Sequence, residues 1–308
     1  MNRTHKVQIV LFIIYILIVT TVMIWQGIGI DPSRYIFVLL IPAFFLKKTR
    51  AFFLDWIPFL FIFLSYEFLR GLTPFVNPRA NFTLAPAFDK IFGGQIPTIT
   101  LQSLLFNPNH LGFVDYLATM FYFVHLALPY VFGYILWIYN RNYFRRFALG
   151  IIILSYSGWL TFILFPAAPP WLASQHGFLP HVYRVVDFTS QSFPEKIHLP
   201  SIYHDFYPNN VAAIPSMHAA YPLLVLLFGL KFFKRKMIPF VLYVIGVWFS
   251  LVYLGEHYVL DEIIGGLYAI GAYFITERLY KNRHDLESKI TKVLPFTKIL
   301  LAPGNKLS

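Results

Sequence analysis

"AAIPSMHAAYPLLVLLFGLKFFKRK", residues 212–236, decides the fold. A proline–serine pair opens it, an apolar run broken only by His218 and Tyr221 follows, and Lys231, Lys234, Arg235 and Lys236 close it. An apolar run of that length with a basic cluster at its end reads as a membrane-spanning helix that finishes in the cytoplasm. The histidine is the anomaly. A lone His in such a run is commonly a packed ring with one hydrogen-bond partner, so its meaning depends on which other ionisable groups share its layer.

Working outward, comparable apolar runs lie at about 7–26, 32–46, 51–70, 114–139, 147–165, 214–230, 237–254 and 258–277. The chain of 308 residues is 57% hydrophobic and 13% charged, which predicts an all-α polytopic bundle of about eight transmembrane helices. The run at 7–26 is long and lacks a small-x-small cleavage site, so it reads as a retained first span. The run at 32–46 is short and contains Pro42, but without it "KKTR" at 47–50 would fall on the wrong side of the membrane. Three units are expected: residues 1–50 as an N-terminal pair of spans, 51–280 as a catalytic membrane domain and 281–308 as a cytoplasmic tail.

A formal charge of +11 would suggest nucleic acid in a soluble chain. Here 19 of the 25 lysines and arginines sit in the N-terminus, "KKTR", "RNYFRR" (141–146), "KFFKRK" (231–236) and the C-terminal tail. These segments are therefore expected in the cytoplasm, and both termini with them, leaving Arg34, Arg70, Arg79, Lys90, Arg184 and Lys196 outside. The partners indicated are the bilayer and a membrane lipid, not nucleic acid; no obligate protein partner is inferred. Without cysteine there is no disulfide, thiol nucleophile or cysteine metal site.

Two long connections, about 71–113 and 166–213, face outward in this topology and read as binding segments. The first carries "FDKIFGGQIPTITLQSLLF" (88–106), expected to include an interfacial helix. It also carries the acceptor-like tripeptide "NFT" at 81–83. The second opens on "FPAAPPWLAS" (165–174), where prolines stop a helix and Trp171 suits the interface.

"YLGEHYVLDEIIGG" (253–266) reverses the chain and places His257 and Asp261 four residues apart on one helical face. His218 is expected at a similar depth, with Ser216 two residues before it. An aspartate holding one ring nitrogen fixes the tautomer and supports the charge that develops when the other nitrogen attacks an electrophile. A second histidine can protonate the leaving oxygen. The same pair could be a plain helix-start ion pair, and two His and one Asp could also hold zinc or iron. His125, some ten residues into its span, reads as a packed histidine too deep for interfacial chemistry, and Asp115 as a helix-start carboxylate.

"PSMH" (215–218) and "HYVLD" (257–261) resemble the second and third signatures, PSGH and SRxxxxxHxxxD, of the type 2 phosphatidic acid phosphatase superfamily. "FPAAPPW", "AAIPSMHAAYP" and "YLGEHYVLDEIIGG" are similar to the inositol phosphorylceramide synthase-like branch, and the likeness covers about residues 60–280. The resemblance implies a six-helix lipid-phosphatase-type core and a membrane lipid phosphotransferase or phosphatase without metal or other cofactor. It implies His257 as the nucleophile forming a phosphohistidine, Asp261 as its orienter and His218 as acid and base. The first signature, KxxxxxxRP, is absent, and Leu251 stands where the third signature has Arg. The phosphate clamp is therefore sought in Arg70, which could instead pair with Glu67, then in Arg184, with Ser216 as a further substrate-binding residue. A lipid phosphate or polyprenyl diphosphate phosphatase is the alternative enzyme; a non-catalytic lipid transporter with a proton relay is the alternative of another class.

Overall fold

The computed structural model describes residues 3–26, 32–77, 79–192 and 209–293; Lys196 and the tail beyond 293 lie outside them. The long helices are α1 (Arg3–Trp25), α3 (Thr49–Val76), α6 (Phe113–Tyr139), α7 (Arg141–Leu164), α10 (Met217–Phe233) and α12 (Val259–Val293). Shorter ones are α2 (Pro32–Phe45), α4 (Leu84–Asp89), α5 (Pro97–Leu105), α8 (Pro170–Gln175), α9 (Val185–Gln191) and α11 (Phe240–Tyr253), and no strand occurs among the described residues.

Among the described residues, five helices are long and apolar enough to cross a membrane, and α6 adds a sixth if its two halves, bent by 52° after His125, count as one span. The bend has a local cause: Pro129 has no N–H for the carbonyl one turn back at His125. The expected count of eight therefore rests on α2 and α11, each of 14 residues, or about 21 Å against a hydrocarbon core of about 30 Å. For α11 the deficit is partly made up by the 3₁₀ turn Lys234–Met237 before it. Its far end leads directly to His257, which touches His218 at the start of α10, so α11 makes the return pass.

Lipid gives helices no hydrophobic reason to associate, so close shape matching has to do it. At Gly265 of α12 an added Cβ would lie 2.3 Å from the carbonyl oxygen of Ser216, just before α10. Only glycine permits that approach. At the opposite end of the bundle Asp55 of α3 is buried and accepts from Trp137 Nε1 at 2.9 Å and Arg145 at 2.9 Å, with Arg141 on its other side. A buried carboxylate so enclosed would be costly to leave unpaired.

The two long connections fold over the end that holds the histidines. Isolated bridges join Asn81 to Ala167 and Ala167 to Ala212. α5 keeps Thr98 and Gln102 buried and Leu104 and Leu105 exposed, as an interfacial helix should. Gln102 Nε2 donates to the carbonyls of Tyr183 (2.8 Å) and Tyr253 (2.9 Å), and its Oε1 accepts from Tyr183 N–H (2.9 Å), fastening both connections to the end of α11.

Candidate active site

α11 ends in a Schellman turn. Gly255 adopts φ +80°, its N–H donates to Val252, and the N–H of Glu256 donates to Leu251. His257 follows at once, its own N–H on the same Leu251 carbonyl at 3.2 Å, so its backbone is fixed from behind. Two residues later α12 begins. Asp261, in its first turn, accepts from Tyr258 N–H at 2.9 Å and from His257 Nδ1 at 3.3 Å through the same Oδ2. The opposing histidine is positioned by Ser216, which is the N-cap of α10: its Oγ accepts from Ala219 N–H at 3.3 Å and its N–H donates to the Asp261 carbonyl at 3.0 Å. One backbone bond thus ties the start of α10 to the first turn of α12 and brings His218 Nδ1 to 2.9 Å from His257 Nε2.

The protonation pattern follows from the partners. A carboxylate only accepts, so His257 Nδ1 carries hydrogen and Nε2 carries the lone pair. His218 must then donate from Nδ1 into that lone pair. His257 and Asp261 are 3% and 0% exposed, whereas His218 is half-buried. The arrangement supplies a nucleophilic nitrogen, a carboxylate that steadies the cation formed on attack, and an N–H donor at the reacting atom. Both ring nitrogens of His257 are spent on His218 and Asp261, and no three His, Asp or Glu side chains among the described residues are grouped to hold a metal ion.

The other sequence candidates take definite places. His125 is packed and hydrogen-bonded, as read, through Nδ1 and the Tyr122 carbonyl. Its ring meets that of His218 edge-on with centroids 4.4 Å apart, in the half of α6 that precedes the bend. Tyr122, which the sequence did not single out, stacks on His218 at 5.1 Å. Asp115 is a helix-start carboxylate, accepting from Gly112 N–H at 2.6 Å and from Tyr253 Oη. Leu251 is wholly buried and apolar.

Arg70 pairs with Glu67 at 3.0 Å. Arg184 binds Glu256 at 2.7 Å, lies 3.5 Å from Asp187 and stacks its guanidinium over Trp171 at 4.7 Å. Burial works against the charge on Arg184, but Glu256 outweighs it and holds the group above its ordinary range. Both guanidinium groups are near enough to His218 for their charge to be felt at its ring.

A bundle of apolar helices that closes two histidines and an aspartate together at one end defines an integral membrane protein with a histidine-centred candidate site. Residues 88–275 match the PAP2 superfamily, and the chain belongs to it. It is 28% identical over 225 residues to the phosphoinositol dihydroceramide synthase of Bacteroides thetaiotaomicron, covering 70% of this chain and 74% of that one. It is 26% identical over 258 residues to the inositol phosphorylceramide synthase of Candida albicans, covering 79% and 52%. It is 28% identical over 209 residues to the catalytic subunit of the Schizosaccharomyces pombe enzyme of that name, covering 66% and 48%. The chain thus spans about half the length of these fungal relatives. No solved structure matches it. The protein is an enzyme of the phosphotransferase and phosphatase kind, acting on lipid in a membrane.

Proposed function

We propose that the protein transfers a phosphoinositol group from a phospholipid to a ceramide-type lipid alcohol through a phosphohistidine at His257. The observation that carries this reading is the chain of contacts from Asp261 through His257 to His218 at 3.3 and 2.9 Å, in a chain similar to enzymes named for that product. In the first step the His257 Nε2 lone pair forms the N–P bond while the P–O bond to the diacylglycerol breaks. Substrate displaces the His218–His257 hydrogen bond; His218, entering as the imidazolium, gives its Nδ1 proton to the departing oxygen and is left neutral, and Asp261 supports the charge that forms on His257. In the second step the lipid alcohol gives its proton to His218, its oxygen bonds to phosphorus and the N–P bond breaks. Arg70, Arg184 and Ser216 are assigned to the phosphate, and residues 51–280 to the catalytic domain. The site is placed on the extracytoplasmic side, with both termini in the cytoplasm.

The test is purified protein given an inositol phospholipid with and without a ceramide, scored for headgroup transferred to the ceramide against soluble inositol phosphate. Transfer should depend on the ceramide, persist in a chelator, and disappear in His257→Ala while Asp261→Asn falls steeply. Release of soluble inositol phosphate alone would make it a hydrolase; near-normal turnover in His257→Ala would overturn the mechanism.

A further inference from the structure

The first turn of α12 is held by a group that neither histidine touches. Asp89, the last residue of α4 in the first long connection, is completely buried. Its Oδ2 accepts from Val259 N–H at 2.9 Å and its Oδ1 from Leu260 N–H at 3.1 Å, across 170 residues of chain. A helix start leaves its first N–H groups without internal partners, and the residue at the N-cap usually supplies an oxygen for them. Here that residue is Tyr258, whose phenol hydroxyl is buried without a partner and makes no such bond. Asp261 fills only the reverse half of the cap by accepting from Tyr258 N–H. Asp89 provides the missing half from another segment. Burial pushes its carboxyl up to about 6 against the pull of the two amides, with Asp261 adding to the rise, so it is ionised at neutral pH.

The Ser216 N–H holds only the Asp261 carbonyl, so the register of this turn decides where the Asp261 carboxylate points. Its Oδ1 is buried without a partner, and its Oδ2 is shared between Tyr258 N–H and His257 Nδ1. We propose that Asp89 is a positioning residue: by capping Val259 and Leu260 it sets the first turn of α12 so that Asp261 faces His257. For the reaction itself the proposal rests on the catalytic reading of that pair.

The test uses the full chain in lipid nanodiscs and two readouts. Asp89→Asn, which keeps one carbonyl acceptor, should lower kcat between about ten- and a hundredfold, the scale of a small misplacement of reacting groups. KM and the thermal midpoint should stay close to wild type. Amide exchange should rise at residues 258–261 and not along the rest of α12. Asp89→Ala should lose more kcat and show faster exchange at the same four amides. Wild-type kcat in Asp89→Asn, unchanged exchange in Asp89→Ala, or a loss of protection spread along α12 would each overturn the proposal. If wild-type protein shows no His257-dependent turnover, the catalytic reading fails, and the exchange pattern alone decides whether Asp89 holds this turn.

Discussion

A phosphoryl group carries negative charge on its non-bridging oxygens through transfer, and a guanidinium can meet two of them at once where an ammonium cannot. Leu251 offers no such charge, and Arg70 and Arg184 are the residues proposed to supply it. Arg70→Lys is expected to lower turnover at least tenfold, about 1.4 kcal/mol of transition-state stabilisation, with little change in thermal midpoint. Arg184→Lys should in addition lose its stack on Trp171 and its fit to Glu256, and with them some stability. If Arg70→Lys turns over normally while Arg184→Lys fails, the clamp belongs to the second connection. At this scale the sequence was legible wherever spacing along one helix fixes a contact, as for His257 and Asp261 or Glu67 and Arg70. It was silent on Tyr122, Glu256 and Asp89, because their partners lie on other segments and no local periodicity reports them. The contact of His125 with His218 was not legible either, because Pro129 marks a bend without saying how far it swings the helix.

The turn between α11 and α12 places His257, the proposed nucleophile, and it depends on one residue without a side chain. Gly255 combines φ +80° with a Cβ position that would lie 2.7 Å from the Tyr183 carbonyl. Gly255→Ala therefore meets both a left-handed backbone, worth about 1–2 kcal/mol, and a backbone oxygen that cannot rotate away. The expected outcome is a lower thermal midpoint together with a loss of turnover larger than the loss of folded protein explains, read by melting and by rate per folded molecule. Helix lengths were less legible than helix existence. "KFFKRKMIPF" reads as a basic end followed by a new span, whereas Lys234–Met237 forms a 3₁₀ turn and α11 starts only at Phe240. Hydropathy marks the apolar run but not how much of it the turn consumes.

For the molecule as a whole, the proposed sidedness rests on charge: 19 of 25 basic residues fall on one set of connections. A cysteine at the exposed Gln175, at the end of α8, should react with an impermeant reagent from outside intact cells, and a reporter fused after Ser308 should be active in the cytoplasm; labelling only after permeabilisation would invert the arrangement. The two ends of the bundle also differ in how they hold charge. Asp55 is enclosed by Trp137, Arg141 and Arg145, an anion with no place left to fill. At the histidine end the roles are reversed: Arg70 rests on Glu67 and Arg184 on Glu256. With these arginines as the clamp, the resting enzyme already contains surrogates for its substrate. A lipid phosphate then enters by exchange, taking over guanidinium groups that Glu67 and Glu256 had kept neutralised, so the site never holds a bare cation in an apolar surrounding while it waits.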